Sequence, residues 1–136
     1  MIDKLKSLLD SYDNCLVECD GFTRIASYLL HKADVKHRVL VGHALVPNAA
    51  GDDHDLVRPH FWIEVVDEDG LVVTVDYRLR CWCGDHAKHG VFYNDEFGVD
   101  YCPSKELVLE PNDTIFEILT LPSPAATYAA NRKESK

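Results

Sequence analysis

The sequence has no long apolar run. No stretch of its 136 residues approaches the roughly 20 apolar residues that span a bilayer. The N-terminal stretch MIDKLKSLLDSYD is charged throughout and has no apolar core of the kind that a secretion signal contains. We therefore expect a cytoplasmic protein that has no membrane partner.

Positive charge is also scarce. Lysine and arginine together number 14 against 23 acidic residues, so the formal net charge is −9. Nucleic acids and anionic membrane surfaces attract basic proteins, and this balance argues against either as the main partner. A cationic or neutral substrate is compatible with it.

Internal repeats and a paired set of cysteines are missing as well. The length and the 46% hydrophobic content suit one domain, which we assign to residues 1–121, with residues 122–136 as a C-terminal tail. The cysteines are odd in number and irregularly spaced, which predicts free thiols rather than a disulfide framework. They are Cys15, Cys19, Cys81, Cys83 and Cys102. Nothing in the sequence calls for a cofactor.

Hydrophobic periodicity predicts two helices and a strand in the first half of the chain. Residues 2–12 repeat apolar side chains every three to four positions, and a second such series starts at Cys19 and continues to Ala33. Cys19 therefore lies on the apolar face of the second helix. Residues 37–46 are rich in valine and leucine and predict a strand, followed by a loop that runs to about Pro59.

Residues 60–78 predict a β-hairpin, and the side chains favour one register. A three-residue loop that ends at a left-handed Gly70 places apolar residues on one face and polar residues on the other. On the polar face, His60 and Asp76 become diagonal neighbours within side-chain reach. Trp62, Glu64 and Arg78 share that face, and Glu64 is expected to pair with Arg78 or Arg38.

The pattern weakens after residue 80. A short strand is predicted at 106–109, and the segment Pro111-Asn112-Asp113 offers an N-cap for a helical turn over residues 115–119. The tail is expected to be frayed, with a short helix around 125–130. Together these elements predict an α+β domain with helices packed on an antiparallel β-sheet.

Three of the polar residues suit nucleophilic catalysis. A thiol attacks as its thiolate, which a helix N-terminus or a nearby imidazolium favours. In this hypothesis Cys19 is the nucleophile, His60 takes the thiol proton and later passes it to the leaving amine, and Asp76 orients the imidazole. Backbone N–H groups at the helix start would bind the oxyanion. The negative charges of Glu18 and Asp20 oppose a thiolate between them.

The ordered motifs resemble the transglutaminase-like branch of the papain-like cysteine peptidases. That family has a helix-capping cysteine, an "I-P-x-R-x-V-x-G" strand entry, an "H-a-W-v-E-v" strand and a "v-D-p" strand. This chain offers Cys19, then VKHRVLVG at 35–42, HFWIEV at 60–65 and VDY at 75–77. The resemblance covers about residues 15–80 and implies a papain-like or transglutaminase-like core with a Cys-His-Asp catalytic triad.

Some positions depart from the family pattern. Asp34 stands where the family usually has glycine, and Lys36 and Tyr77 replace two prolines. These positions are expected in turns and do not belong to the triad. The chain beyond Arg80 matches no part of the family, so the resemblance gives no information on substrate selection.

The function expected on these grounds is that of a cysteine peptidase or isopeptidase, a thiol hydrolase acting on a peptide or protein. Trp62 is expected to form a wall of the active site and bind substrate. Acyl transfer to an amine, as in a transglutaminase or a deamidase, is the alternative activity, and a catalytically silent binding module of the same fold is a third possibility. Cys15, one helical turn upstream, is the rival nucleophile.

A zinc site is the remaining alternative. Two cysteines and two histidines occur within nine residues, at Cys81, Cys83, His86 and His89. Structural zinc sites usually take two ligand pairs from separate elements, and this spacing is much tighter. We therefore predict no metal, and a zinc-binding interaction module centred on residues 81–89 stays the less favoured hypothesis.

Overall fold

The computed structural model describes residues 1–94 and 98–121, which contain four α-helices and five β-strands. The helices are α1 (Ile2–Leu9, followed by a 3-10 turn at Asp10–Tyr12), α2 (Cys19–Lys32), α3 (Arg80–Cys83) and α4 (Asp113–Thr120). The strands are β1 (Arg38–Pro47), β2 (His54–Val66), β3 (Val72–Asp76), β4 (Gly90–Tyr93) and β5 (Asp100–Leu107). Within the described residues no helix is long and apolar enough to cross a bilayer.

All five strands form one sheet in the order β4-β3-β2-β1-β5. Every neighbouring pair is antiparallel, so the predicted α+β class with helices on an antiparallel sheet is confirmed. The tail and its expected helix at 125–130 lie outside the described residues. The N-cap predicted within residues 111–113 is confirmed and falls at Asn112, whose side chain accepts a hydrogen bond from the Ile115 backbone N–H.

The hairpin of β2 and β3 has the register that the side chains favoured. Ile63 pairs with Val75 and Val65 pairs with Val73. Gly70 has a φ of 81°, in the left-handed region that the three-residue loop requires. His60 and Asp76 therefore lie close together on the same face.

Helices α1 and α2 cover the apolar face of this hairpin. Their buried side chains form one core with the inward residues of β1 to β4. This core contains Leu5, Leu9, Phe22, Ala26, Leu30, Val39, Ile63, Val65, Val73, Val75 and Val91. Each of the larger side chains in this list, all except Ala26, stabilises the fold by about 1.5–3 kcal/mol on burial. The Phe22 ring lies 4.7 Å from the Tyr77 ring, so the first turn of α2 lies over the end of β3.

The opposite face is buried rather than open to water. His60 and Trp62 are both 0% exposed and Asp76 is 3% exposed. The Trp62 ring lies 4.7 Å from the ring of Tyr101 on β5, which belongs to the far edge of the sheet. The Tyr101 hydroxyl also reaches Asp76 on β3 across the two strands between them. Side chains of distant strands therefore cover the polar residues, which a two-strand register does not reveal.

Strand β2 begins earlier than expected. The loop predicted to run to Pro59 is wrong, because residues 54–57 pair with residues 44–47 of β1. A register shift between Gly42 and Ala44 interrupts the pairing of β1 with β2. It breaks the alternation of buried and exposed side chains from which a strand is predicted in a sequence. Strand β5 likewise starts at Asp100 instead of residue 106. The sequence does not indicate this start, because all eight side chains of the strand are half-buried or exposed and show no two-residue period.

A residue with left-handed backbone follows the end of helix α2. Asp34 has a φ of 57°, and the backbone N–H of Val35 donates to the Leu30 carbonyl at 2.8 Å. This is the position where the resembled family usually has glycine. Aspartate is among the residues that adopt this conformation most readily after glycine, so Asp34 can form the same turn as glycine would.

Candidate active site

Cys19 is the first residue of α2 and is half-buried. Glu18 occupies the N-cap position and makes no side-chain capping bond. The first backbone N–H groups of a helix have no intrahelical partner, so those at the start of α2 are available as donors next to the thiol. Gly21 allows close packing here, since a Cβ at that position would lie 2.8 Å from the Cβ of Val17.

His60 and Asp76 form a buried hydrogen-bonded pair. The His60 Nε2 atom lies 2.7 Å from Asp76 Oδ2, and the two side chains are 0% and 1% exposed. Asp76 Oδ2 also accepts from the Tyr101 hydroxyl at 2.8 Å, and Oδ1 accepts from the Arg78 backbone N–H at 3.2 Å. Three donors therefore fix the orientation of the carboxylate.

The other ring nitrogen of His60, Nδ1, is available to interact with Cys19. Nδ1 is buried and has no hydrogen-bond partner among the described residues, while Asp76 occupies Nε2. Burial lowers the pKa of His60, but the hydrogen bond to Asp76 and the adjacent Cys19 outweigh this effect and raise the pKa to about 9. The structure thus brings together the three residues that the sequence analysis selected.

This pKa predicts a specific loss of stability in mild alkali. Because the folded-state pKa lies above the ordinary value of about 6.5, the protonated imidazole stabilises the fold fully below pH 6.5 and loses that effect as the pH rises through 9. The free energy of unfolding, measured in urea, should fall more between pH 6.5 and 9.5 in the wild type than in His60→Gln. Equal pH dependence in both proteins would contradict the raised pKa.

Trp62 lies next to the His60–Asp76 pair and has no exposed surface. Its ring is stacked near His60, with centroids 6.2 Å apart, and it contacts Tyr101 on its other side. In this structure it therefore supports the imidazole and does not line an open cleft. Substrate binding by Trp62, which the sequence suggested, stays a prediction.

The rival nucleophile Cys15 lies outside α2, in the segment that precedes it. Its carbonyl accepts from Arg78 Nη2 at 3.1 Å, and burial raises the pKa of its thiol, although Arg78 acts in the opposite direction. The thiol that influences the pKa of His60 is Cys19. The position of Cys19 at the start of α2, beside His60, therefore favours Cys19 over Cys15.

The residues of the tight cysteine and histidine cluster make separate contacts. His86 Nε2 lies 3.1 Å from the carbonyl of Pro47, and His89 Nε2 lies 2.6 Å from Asp13 Oδ2. Cys81 is exposed and Cys83 is half-buried. In the described ranges no group of three or more such side chains is placed to hold a metal ion, so the structure does not bring these four residues together.

One residue of the site, Tyr101, was missed by the sequence analysis, and Arg78 has other partners than expected. Tyr101 donates to Asp76, and burial together with the Asp76 charge raises the pKa of Tyr101 well above its usual value, so its hydroxyl stays protonated. Arg78 was expected on the polar face as a possible partner of Glu64. The pairing of β3 ends at Asp76, and Arg78 instead contacts Asp13 at 2.9 Å; Glu64 lies 4.0 Å from Arg38.

Comparison with known proteins gives no relative from which a role could be transferred. No protein-family model, curated protein or solved structure matches the chain. The function is therefore inferred from the geometry of Cys19, His60 and Asp76.

Proposed function

We propose that the chain is a cysteine hydrolase that cleaves an amide bond of a peptide or protein through a thioester on Cys19. The observation that carries the proposal is the buried hydrogen bond of 2.7 Å between His60 Nε2 and Asp76 Oδ2, which leaves Nδ1 for the adjacent thiol. A nucleophile, a base and a group that orients the base are the parts that this chemistry needs.

The proposed reaction uses each group in turn. At neutral pH the proton of the Cys19 thiol resides on His60 Nδ1, because the pKa of His60 is raised to about 9. The Cys19 thiolate attacks the carbonyl carbon to give a tetrahedral oxyanion, which accepts hydrogen bonds from backbone N–H groups at the start of α2. The C–N bond then breaks as Nδ1–H protonates the leaving amine, and the thioester remains. Water gives a proton to His60, attacks the thioester and releases the acid and the thiol.

The finer fold assignment is part of the same proposal. A helix that begins with the nucleophile precedes an antiparallel sheet, and the neighbouring strands β2 and β3 carry the base and the carboxylate. This order supports a papain-like or transglutaminase-like core. If an amine replaced water, the same steps would give acyl transfer. Hydrolysis is the simpler activity because it needs no second substrate other than water.

Selective alkylation tests the proposal without a known substrate. At pH 7, iodoacetamide should label Cys19 faster than the exposed Cys81, as measured by mass spectrometry of peptides. The His60→Ala variant should lower the Cys19 rate by about tenfold or more, since an ordinary cysteine is only a few per cent thiolate at this pH.

The matched control is His54→Ala, which removes an exposed histidine of the same strand and should leave the rate unchanged. Equal labelling of Cys19 and Cys81 in the wild type would overturn the proposal. So would a Cys19 rate that does not change in His60→Ala.

A further inference from the structure

The Arg78 side chain is buried and uses all its hydrogen-bonding capacity. It is 6% exposed and makes five contacts of 2.8–3.1 Å. Nε donates to the Val17 carbonyl, Nη1 donates to Asp13 Oδ1 and the Tyr77 carbonyl, and Nη2 donates to the carbonyls of Asp13 and Cys15. A guanidinium group has five N–H donors, and each has an acceptor here.

These acceptors lie mainly in the segment 13–17, which leads directly into Cys19. The segment contains no regular helix or strand, so its carbonyls are not bound in a ladder, and Arg78 takes three of them. The guanidinium also lies 4.6 Å over the ring of Phe22, in the first turn of α2. Arg78 therefore contacts the chain both before and after Cys19.

The backbone of the same residue contacts the other half of the site. The Arg78 N–H donates to Asp76 Oδ1 at 3.2 Å, two positions along the chain. One residue thus joins the carboxylate that orients His60 to the segment that carries Cys19. Among the described side chains, its contacts connect the sheet half and the helix half of the candidate site most directly.

We infer that Arg78 is a positioning residue that holds the segment leading into Cys19, so that the thiol stays beside His60. The inference rests on the proposed function and adds a requirement for a planar guanidinium. Lysine would keep the positive charge beside Asp13, but its ammonium is a point donor with three N–H bonds and cannot reach four acceptor residues in one plane. Without the guanidinium, the segment 13–17 that leads into α2 is no longer held in place, although the three side chains of the proposed triad are still present.

The test compares Cys19 alkylation rates in Arg78→Met and Arg78→Lys with the wild type, using Cys81 in the same molecules as an internal standard. The expected Cys19 rate falls by about tenfold in Arg78→Met, because a displaced thiol returns to the behaviour of an ordinary cysteine. It should be intermediate in Arg78→Lys. The control Arg24→Met removes an exposed arginine of α2 and should have no effect.

A second variant keeps the inference testable if Arg78→Met does not fold. Gly21→Ala pushes the Val17 side chain away from the first turn of α2 without changing Arg78, and should slow Cys19 alkylation in the same direction. Wild-type rates in both Arg78→Lys and Gly21→Ala would overturn the inference. Slow labelling of the wild type would contradict the proposed function instead, so the two failures differ.

Discussion

Asp76→Asn should reduce hydrolysis of a peptide obtained from a cleavage screen by about 10³- to 10⁴-fold, as loss of the carboxylate does in the Ser-His-Asp triad. The structure gives the reason. The Arg78 backbone N–H can only donate to Oδ1, so the asparagine oxygen takes that place and its NH₂ group faces His60 Nε2. The imidazole must then accept at Nε2 and carry its proton on Nδ1, where it cannot receive the thiol proton.

This tautomer is directly observable. In ¹⁵N spectra of the imidazole, the variant should show a protonated Nδ1 and an unprotonated Nε2, and Cys19 alkylation at pH 7 should fall to the level of His60→Ala. Tyr101→Phe is the matched control, because it removes one donor from Oδ2 and leaves the carboxylate charge, so its loss should be far smaller. A wild-type alkylation rate in Asp76→Asn would contradict the assigned role of the carboxylate.

The parts of the site that could be predicted are those encoded by local periodicity. Cys19 lies on the apolar face of a helical repeat, and the hairpin register separates polar from apolar side chains over only nineteen residues, His60–Arg78. A register shift by one residue would reverse both faces, so the side chains determine the pairing strongly. The approach of His60 to Asp76 follows from that pairing.

The parts that could not be predicted depend on contacts between distant segments. Tyr101 on β5 reaches Asp76 on β3 across the two strands between them, and the sequence of β5 has no alternation that marks it as a strand. Arg78 was placed by extending the ladder of β3 past its end. Its partners are carbonyls of an irregular segment more than sixty residues earlier, and backbone acceptors leave no trace in the side-chain pattern.

Gly42→Ala is expected to have the largest effect on stability, a loss of at least about 3 kcal/mol. A Cβ at this position would overlap the carbonyl oxygen of Cys102 and lie 2.9 Å from both Pro103 Cα and Ser104 N. All three atoms belong to the backbone of β5, which cannot move aside as a flexible side chain does. Gly42 is also the last residue of the strand-entry motif, and this contact is a physical reason for glycine there.

Urea unfolding measures the effect, and Gly51→Ala is the control. Gly51 has a φ of 75° with open space around its Cβ position, so alanine there should cost only the backbone penalty of about 1–2 kcal/mol. If Gly42→Ala folds at all, displacement of β5 should also move Tyr101 away from Asp76 and slow Cys19 alkylation. A Gly42→Ala protein as stable as Gly51→Ala would mean that β5 passes farther from β1 than the structure places it.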